Sequence, residues 1–245
     1  MSVYDNVIIC LLINVLSTYF LWLFIKLKEL DTGLVRFYLI TGFLSVLLAF
    51  FQKKDINMMF LASIYLLFSI FHIFIYVSKI VLLFFLLLNV LLLYKPFSFF
   101  INRLDILQAI SVIVLGINSA LAFKNLIVGH WYLFTPTMSL KHFKILSLAF
   151  TLFSLARLVF LLTVYFFYSP SFSITALIQS YFDALFFGKI ILLQLVPFLI
   201  SLMARNALSY LSTQSATGFF YCITVFTISD FIVSLYLLKN NFFIF

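Results

Sequence analysis

Charged residues are scarce in this chain. Asp, Glu, Lys and Arg make up 9% of its 245 residues, against about 25% in a soluble globular domain. Hydrophobic residues make up 66%, and the mean hydropathy is +1.26. A water-soluble fold of one or two domains has no interior large enough for that much apolar surface. A bilayer solvates it. Glycine and proline are also few, six and four, which argues against Gly-rich phosphate loops and the repeatedly broken helices of many transporters. The two cysteines, Cys10 and Cys222, stand alone inside apolar runs. They form no pair at metal or redox spacing and say nothing about compartment. There is no His-Glu-x-x-His, no serine nucleophile elbow and no extended soluble segment. Asp183 and Asp230 lack the motifs that intramembrane proteases place around paired aspartates. The first apolar run has no basic n-region and is long enough to span, so it reads as a retained helix and not a cleaved signal.

Phenylalanine is abundant, at 35 residues. No aromatic motif needs so many. With the plentiful Ile, Leu, Lys, Asn and Tyr, it reads as codon bias in an AT-rich bacterial or organellar genome. The formal charge is +8. The basic residues flank apolar runs, which points to a membrane surface and not to nucleic acid.

A spanning helix needs about 20 mainly apolar residues. Eight runs qualify, near 6–25, 35–51, 57–77, 80–95, 105–127, 143–168, 175–202 and 217–238. The expectation is an all-α polytopic bundle over 1–245, with short loops and no soluble domain. Pro96, Pro136 and Pro170 fall between spans, where a missing N–H is harmless. Pro197 lies inside the seventh, which predicts a kink there. With the N-terminus outside, eight basic residues (Lys26, Lys28, Arg36, Lys79, Lys124, Lys141, Lys144, Arg205) face inward and five (Lys53, Lys54, Lys95, Arg103, Lys239) outward. That bias favours both termini outside, in a bacterial or organellar inner membrane.

An ionisable group inside a span is a functional hypothesis, because hydrocarbon tolerates it poorly. Arg157, Asp183, Lys189 and Asp230 are such groups. At 1.5 Å per residue, Arg157 lies about 17 Å from the outer end of its span, the two aspartates about 12 Å and Lys189 about 21 Å. One polar layer results, its formal charges summing to zero, and Arg157 is expected to pair with Asp183, Asp230 or both. At about 100° per residue, Gln179, Asp183, Gln194 and Ser201 share one face of the seventh span, while Lys189 falls on another. The layer suits a proton or solute path or a quinone head-group site. It also suits hydrogen-bonded helix packing, the plainer reading.

The histidines form a second set. His72 nears the end of the third span, and His130 and His142 flank the loop after the fifth. His72 and His130 are weak candidates for a bound cofactor. Their depths differ by roughly 10 Å, which weighs against axial haem ligation. No further ligands lie near enough in sequence for zinc. The stretch His130, Trp131, Tyr132 with His142 reads as an interfacial loop, since Trp and Tyr favour the headgroup region. Gly129 could cap the fifth helix and Ser139 the sixth.

Gly129-His130-Trp131-Tyr132-Leu133 with Pro136, and Thr213-Gln214-Ser215-Ala216-Thr217-Gly218 before the last span, resemble an uncharacterised group of bacterial multi-pass membrane proteins. Similar Gly-His-Trp-Tyr-Leu and Gln-Ser-Ala-Thr-Gly stretches recur in that group. The resemblance covers about a tenth of the chain. It implies a fold type and no catalytic activity, with an acidic residue expected where Asp230 stands.

The expected function is that of a hydrophobic integral membrane subunit of a larger complex, energy-transducing or redox-linked, not an enzyme on its own. The alternatives are a small secondary transporter and a haem- or quinone-binding membrane protein. The bilayer and other membrane subunits are the expected partners; the cofactor is left open, with lipid or quinone as candidates.

Overall fold

The computed structural model describes residues 106–135, 139–168 and 188–239, together with six helical positions between Leu34 and Leu47. Among the described residues the secondary structure is all helical. Helix α1 spans Ile106–Phe134 and α2 spans Lys141–Tyr168. A π-helical segment, Lys189–Leu195, runs straight into α3, Val196–Ser209. Helix α4 spans Thr213–Lys239. These make four helices long and apolar enough to cross a membrane. The spans expected at 6–25, 57–77 and 80–95 lie outside the described residues. So do most of 35–51 and the first part of 175–202.

The helices expose apolar side chains and bury polar ones among apolar ones. On α2 the buried face carries Ser147, Thr151, Ser154 and Arg157, while Leu148, Leu152, Leu155 and Val159 are exposed. On α4 the buried face carries Thr217, Thr224, Thr227, Asp230 and Ser234, while Val225, Ile228 and Ile232 are exposed. Soluble helices show the opposite pattern. Lipid explains this one, since acyl chains solvate Leu, Val and Ile, and polar side chains must find partners inside. Five of the hydroxyls do so locally. Thr151, Thr217, Thr224, Thr227 and Ser234 each donate to the carbonyl four residues back, at 2.7–2.9 Å.

The helix ends follow from local chemistry. Ser139 Oγ accepts from the Lys141 N–H at 3.4 Å as α2 begins, as its sequence position suggests. Helix α3 ends on Leu211, whose φ is 60°. The Ser212 N–H donates to the Ala207 carbonyl at 3.0 Å and the Leu211 N–H to that of Leu208 at 3.3 Å. This is a Schellman closure with leucine where glycine is usual. The Ser212 hydroxyl then bonds that of Ser215 at 2.8 Å as α4 starts. The three-residue turn sets α3 and α4 side by side, and α4 also packs on the π segment.

The described residues divide between two compact units. One holds 106–120 and 134–142, and the other 121–133 and 143 onward. Helix α1 passes from the first to the second. In the first unit Leu34, Ser111, Leu115, Asn118, Ala120 and His142 are buried. The second unit carries the site described next.

Candidate functional site: a buried charge centre

Three ionisable side chains from three helical segments meet inside the second unit. Arg157 comes from α2, Lys189 from the start of the π segment and Asp230 from α4. Each is at most 1% exposed. Arg157 Nη1 is in direct contact with Asp230 Oδ2. Lys189 Nζ lies 4.0 Å from Asp230 Oδ1. The carboxylate thus sits between two cations, one on each oxygen, with the Ser234 hydroxyl 3.5 Å from Oδ1. The expected pairing of Arg157 with Asp230 is present. It is made through a single nitrogen. Asp183 and Gln179 lie outside the described residues.

Lys189 corrects the reading by helical angle. Five residues at about 100° each would set Lys189 and Gln194 some 140° apart. Both are buried on the same segment. The cause is the winding. The Val196 N–H bonds the Ile191 carbonyl, five residues back, so the wider turn brings positions five apart close to alignment. Pro197 supplies the reason. Its ring would clash with the carbonyl four residues earlier and it has no N–H to offer it. The expected distortion at Pro197 therefore takes the form of a π segment just upstream. Ile190 anchors that segment against Leu158 and Leu161 of α2, which holds Lys189 at the level of Arg157.

The centre is under-satisfied in hydrogen bonds. Arg157 Nε and Nη2, Lys189 Nζ, both amide atoms of Gln194 and Ser154 Oγ are buried without a hydrogen-bond partner. Gln194 and Ser154 lie about one turn along their helices from Lys189 and Arg157. Thr227 stands in the same relation to Asp230, followed by Thr224. On α2 the stripe continues through Thr151 to Ser147, about 15 Å from Arg157 at 1.5 Å per residue. The three buried faces thus form a polar column leading from the charges toward the α3–α4 turn. Sequence reasoning missed its α2 side, although Ser147, Thr151, Ser154 and Arg157 recur at helical spacing.

Aromatic packing closes that end. Phe143 stacks on Tyr132, with centroids 5.7 Å apart, and tilts against Phe220 at 5.8 Å. Phe150 meets Phe220 edge-on at 6.0 Å. Asn125 Nδ2 ties α1 to α2 by donating to the Leu146 carbonyl at 3.1 Å.

The remaining expectations need correction. Gly129, His130, Trp131 and Tyr132 are the last turns of α1 and form no interfacial loop, because the helix runs on to Phe134. Gly129 caps nothing. A methyl group there would stand 2.6 Å from Thr217 Oγ1 and 3.0 Å from Phe143 Cζ, so this glycine permits close approach of α1, α2 and α4. His130 is exposed and shares a hydrogen bond of 3.1 Å with the Tyr221 hydroxyl. The stretches Gly129–Leu133 and Thr213–Gly218 therefore pack on each other, through Gly129 on Thr217. Trp131 is partly buried and Tyr132 buried. His142 is buried near the start of α2, in the first unit. His72 lies outside the described residues. Lys124, counted above as a flanking charge, is 3% exposed. It lies about 15 Å inside the end of α1, at 1.5 Å per residue. Among the described residues no three His, Cys, Asp or Glu side chains group as metal ligands.

Compared with known proteins, the chain matches no protein-family model, no curated protein and no solved structure.

Proposed function

We propose that this chain is an integral membrane carrier that binds a charged species inside the bilayer, at the centre formed by Arg157, Lys189 and Asp230. The unmade hydrogen bonds of that centre carry the reading. Helix packing alone favours polar groups whose donors and acceptors are all engaged. Here two cations and a carboxamide retain free, fully buried donors. A buried donor left unmade costs about 1–3 kcal/mol, and more when charged. Each charge in mid-bilayer costs a further 2.5–3.5 kcal/mol or so on insertion scales. One ion contact and a second cation at 4.0 Å leave much of that uncompensated, as a site does when its last ligand is a substrate.

The helix break supports the same reading. Carriers place binding groups where a spanning helix departs from regular winding, and π turns concentrate at functional sites. Lys189 is delivered by such a turn. The sparse glycine and proline spoke against a carrier, but one proline suffices to build this break.

Charge displacement in proteoliposomes tests the proposal. On a solid-supported membrane, stepwise addition of protons, chloride, acetate and phosphate should give a transient current with at least one of them. Asp230→Asn should abolish the current while the protein still elutes as a single folded species. Identical traces from wild type and Asp230→Asn would overturn the proposal. A current that appears only when other membrane chains co-reconstitute would instead favour the subunit of a larger complex.

A further inference from the structure

We infer that the ligand of the charge centre is a small monovalent carboxylate, an inference that rests on the carrier reading above. The charge arrangement points there first. Two cations face one carboxylate, so the three side chains carry one net positive charge that a single anion would neutralise.

The free donors specify the anion's chemistry. Arg157 uses only Nη1 toward Asp230 and leaves Nε and Nη2 without a partner. Those two nitrogens form one edge of the guanidinium, and a planar edge with two parallel N–H groups matches the two oxygens of a carboxylate. Lys189 Nζ and Gln194 Nε2 are further buried donors without a hydrogen-bond partner. A spherical halide would use this edge less well, and a divalent oxyanion would overcompensate the charge. Asp230 then has a second role. It holds both cations in place and limits the site to one negative charge.

The column on the α4 side offers a contrast. Thr217, Thr224 and Thr227 already donate their hydroxyl protons to backbone carbonyls, so they present oxygens and no donors. The α4 side of the column therefore offers an anion no donors, and the charged layer does.

Ligand-dependent thermal unfolding of the full chain in detergent tests this, with sodium acetate, chloride and sulfate as probes at constant ionic strength. Acetate should raise the unfolding temperature in a saturable way, and chloride and sulfate should do so less. Arg157→Lys keeps the charge but loses the planar edge, so the preference for acetate over chloride should disappear. Asp230→Asn removes the charge that limits the site to a monovalent anion, so its preference for acetate over sulfate should be lost. If Asp230→Asn does not fold, the Arg157→Lys comparison still decides. Equal stabilisation by all three salts in wild type and Arg157→Lys would overturn the inference. So would stabilisation by acetate in Asp183→Asn and not in wild type, because Asp183 would then be the neutralising charge. A proton current in the proteoliposome experiment without acetate stabilisation would leave the carrier reading standing and remove the carboxylate.

Discussion

Glycine 129 offers a prediction whose sign depends on one contact. Replacing a mid-helix glycine by alanine ordinarily stabilises a helix by about 0.5–1 kcal/mol. At Gly129 the new methyl would meet Thr217 Oγ1 at 2.6 Å and Phe143 Cζ at 3.0 Å, against 3.4–4 Å for ordinary contact. Neither neighbour is free to retreat. Thr217 Oγ1 donates to the Thr213 carbonyl at 2.7 Å, and Phe143 is held between Tyr132 and Phe220. The helices must separate by several tenths of an ångström, and overpacking of this kind costs about 1–3 kcal/mol. Gly129→Ala should therefore be destabilising by about 0.5–2 kcal/mol net of the propensity gain. At about 2–4 °C per kcal/mol, the unfolding midpoint should fall by about 1–8 °C. Gly218→Ala is the matched control, since a methyl there meets nothing within 4 Å, and it should raise the midpoint. Thermal unfolding of the two purified variants gives both signs in one assay. Thr217→Ala should also relieve part of the Gly129→Ala cost, because it removes the nearest atom. A Gly129→Ala midpoint at or above wild type, or strict additivity with Thr217→Ala, would refute the packing argument.

Two further substitutions probe the backbone. Leu211 holds φ at 60° on an exposed turn, a conformation that costs a side-chain-bearing residue about 1–2 kcal/mol. Leu211→Gly should raise the unfolding midpoint, and a fall would mean that the leucine side chain contributes more than its strain costs. Pro197→Ala restores an N–H and removes the ring, which allows the π segment to rewind as α-helix and turn Lys189 away from Asp230. In a background without Cys10 and Cys222, cysteines at 189 and 230 should be bridged by a short bifunctional thiol reagent. The yield should drop in Pro197→Ala, and an unchanged yield would show that proline does not set the winding.

Among the described residues, the four spanning helices were legible from apolar run length alone. Arg157 and Asp230 could be placed at similar depth by counting residues from the ends of their runs, and the structure brings them together. The misreadings share a physical origin. Lys189 was placed by an α-helical angle, and the wider turn ahead of Pro197 invalidates that angle locally. The end of α1 was drawn before Gly129 because His, Trp and Tyr look interfacial, yet the backbone stays helical until Phe134, just before Pro136. The role of Gly129 could not be read locally at all, since it depends on Thr217, distant in sequence. The stripe from Ser147 to Arg157 was readable in principle. Serine and threonine can bond their own backbone in a membrane helix, as Thr151 does, so the pattern gives a weak signal until the facing helices are known.

The charge centre itself is tested most directly by a mutant cycle among its three members. Asp230 is shared by both cations, so Asp230→Leu strands two charges. Arg157→Leu leaves Lys189 still able to neutralise the carboxylate at 4.0 Å. Removing one member of a buried ion pair costs about 3–5 kcal/mol, while removing both can be nearly neutral. Equilibrium unfolding of Asp230→Leu, Arg157→Leu, Lys189→Met and the pairwise doubles gives the coupling energies. The expected order is Asp230→Leu as the most damaging single change, with Arg157→Leu/Asp230→Leu markedly more stable than the two single costs together imply. Additive costs, or an Asp230→Leu protein as stable as wild type, would contradict a coupled charge centre at Arg157, Lys189 and Asp230.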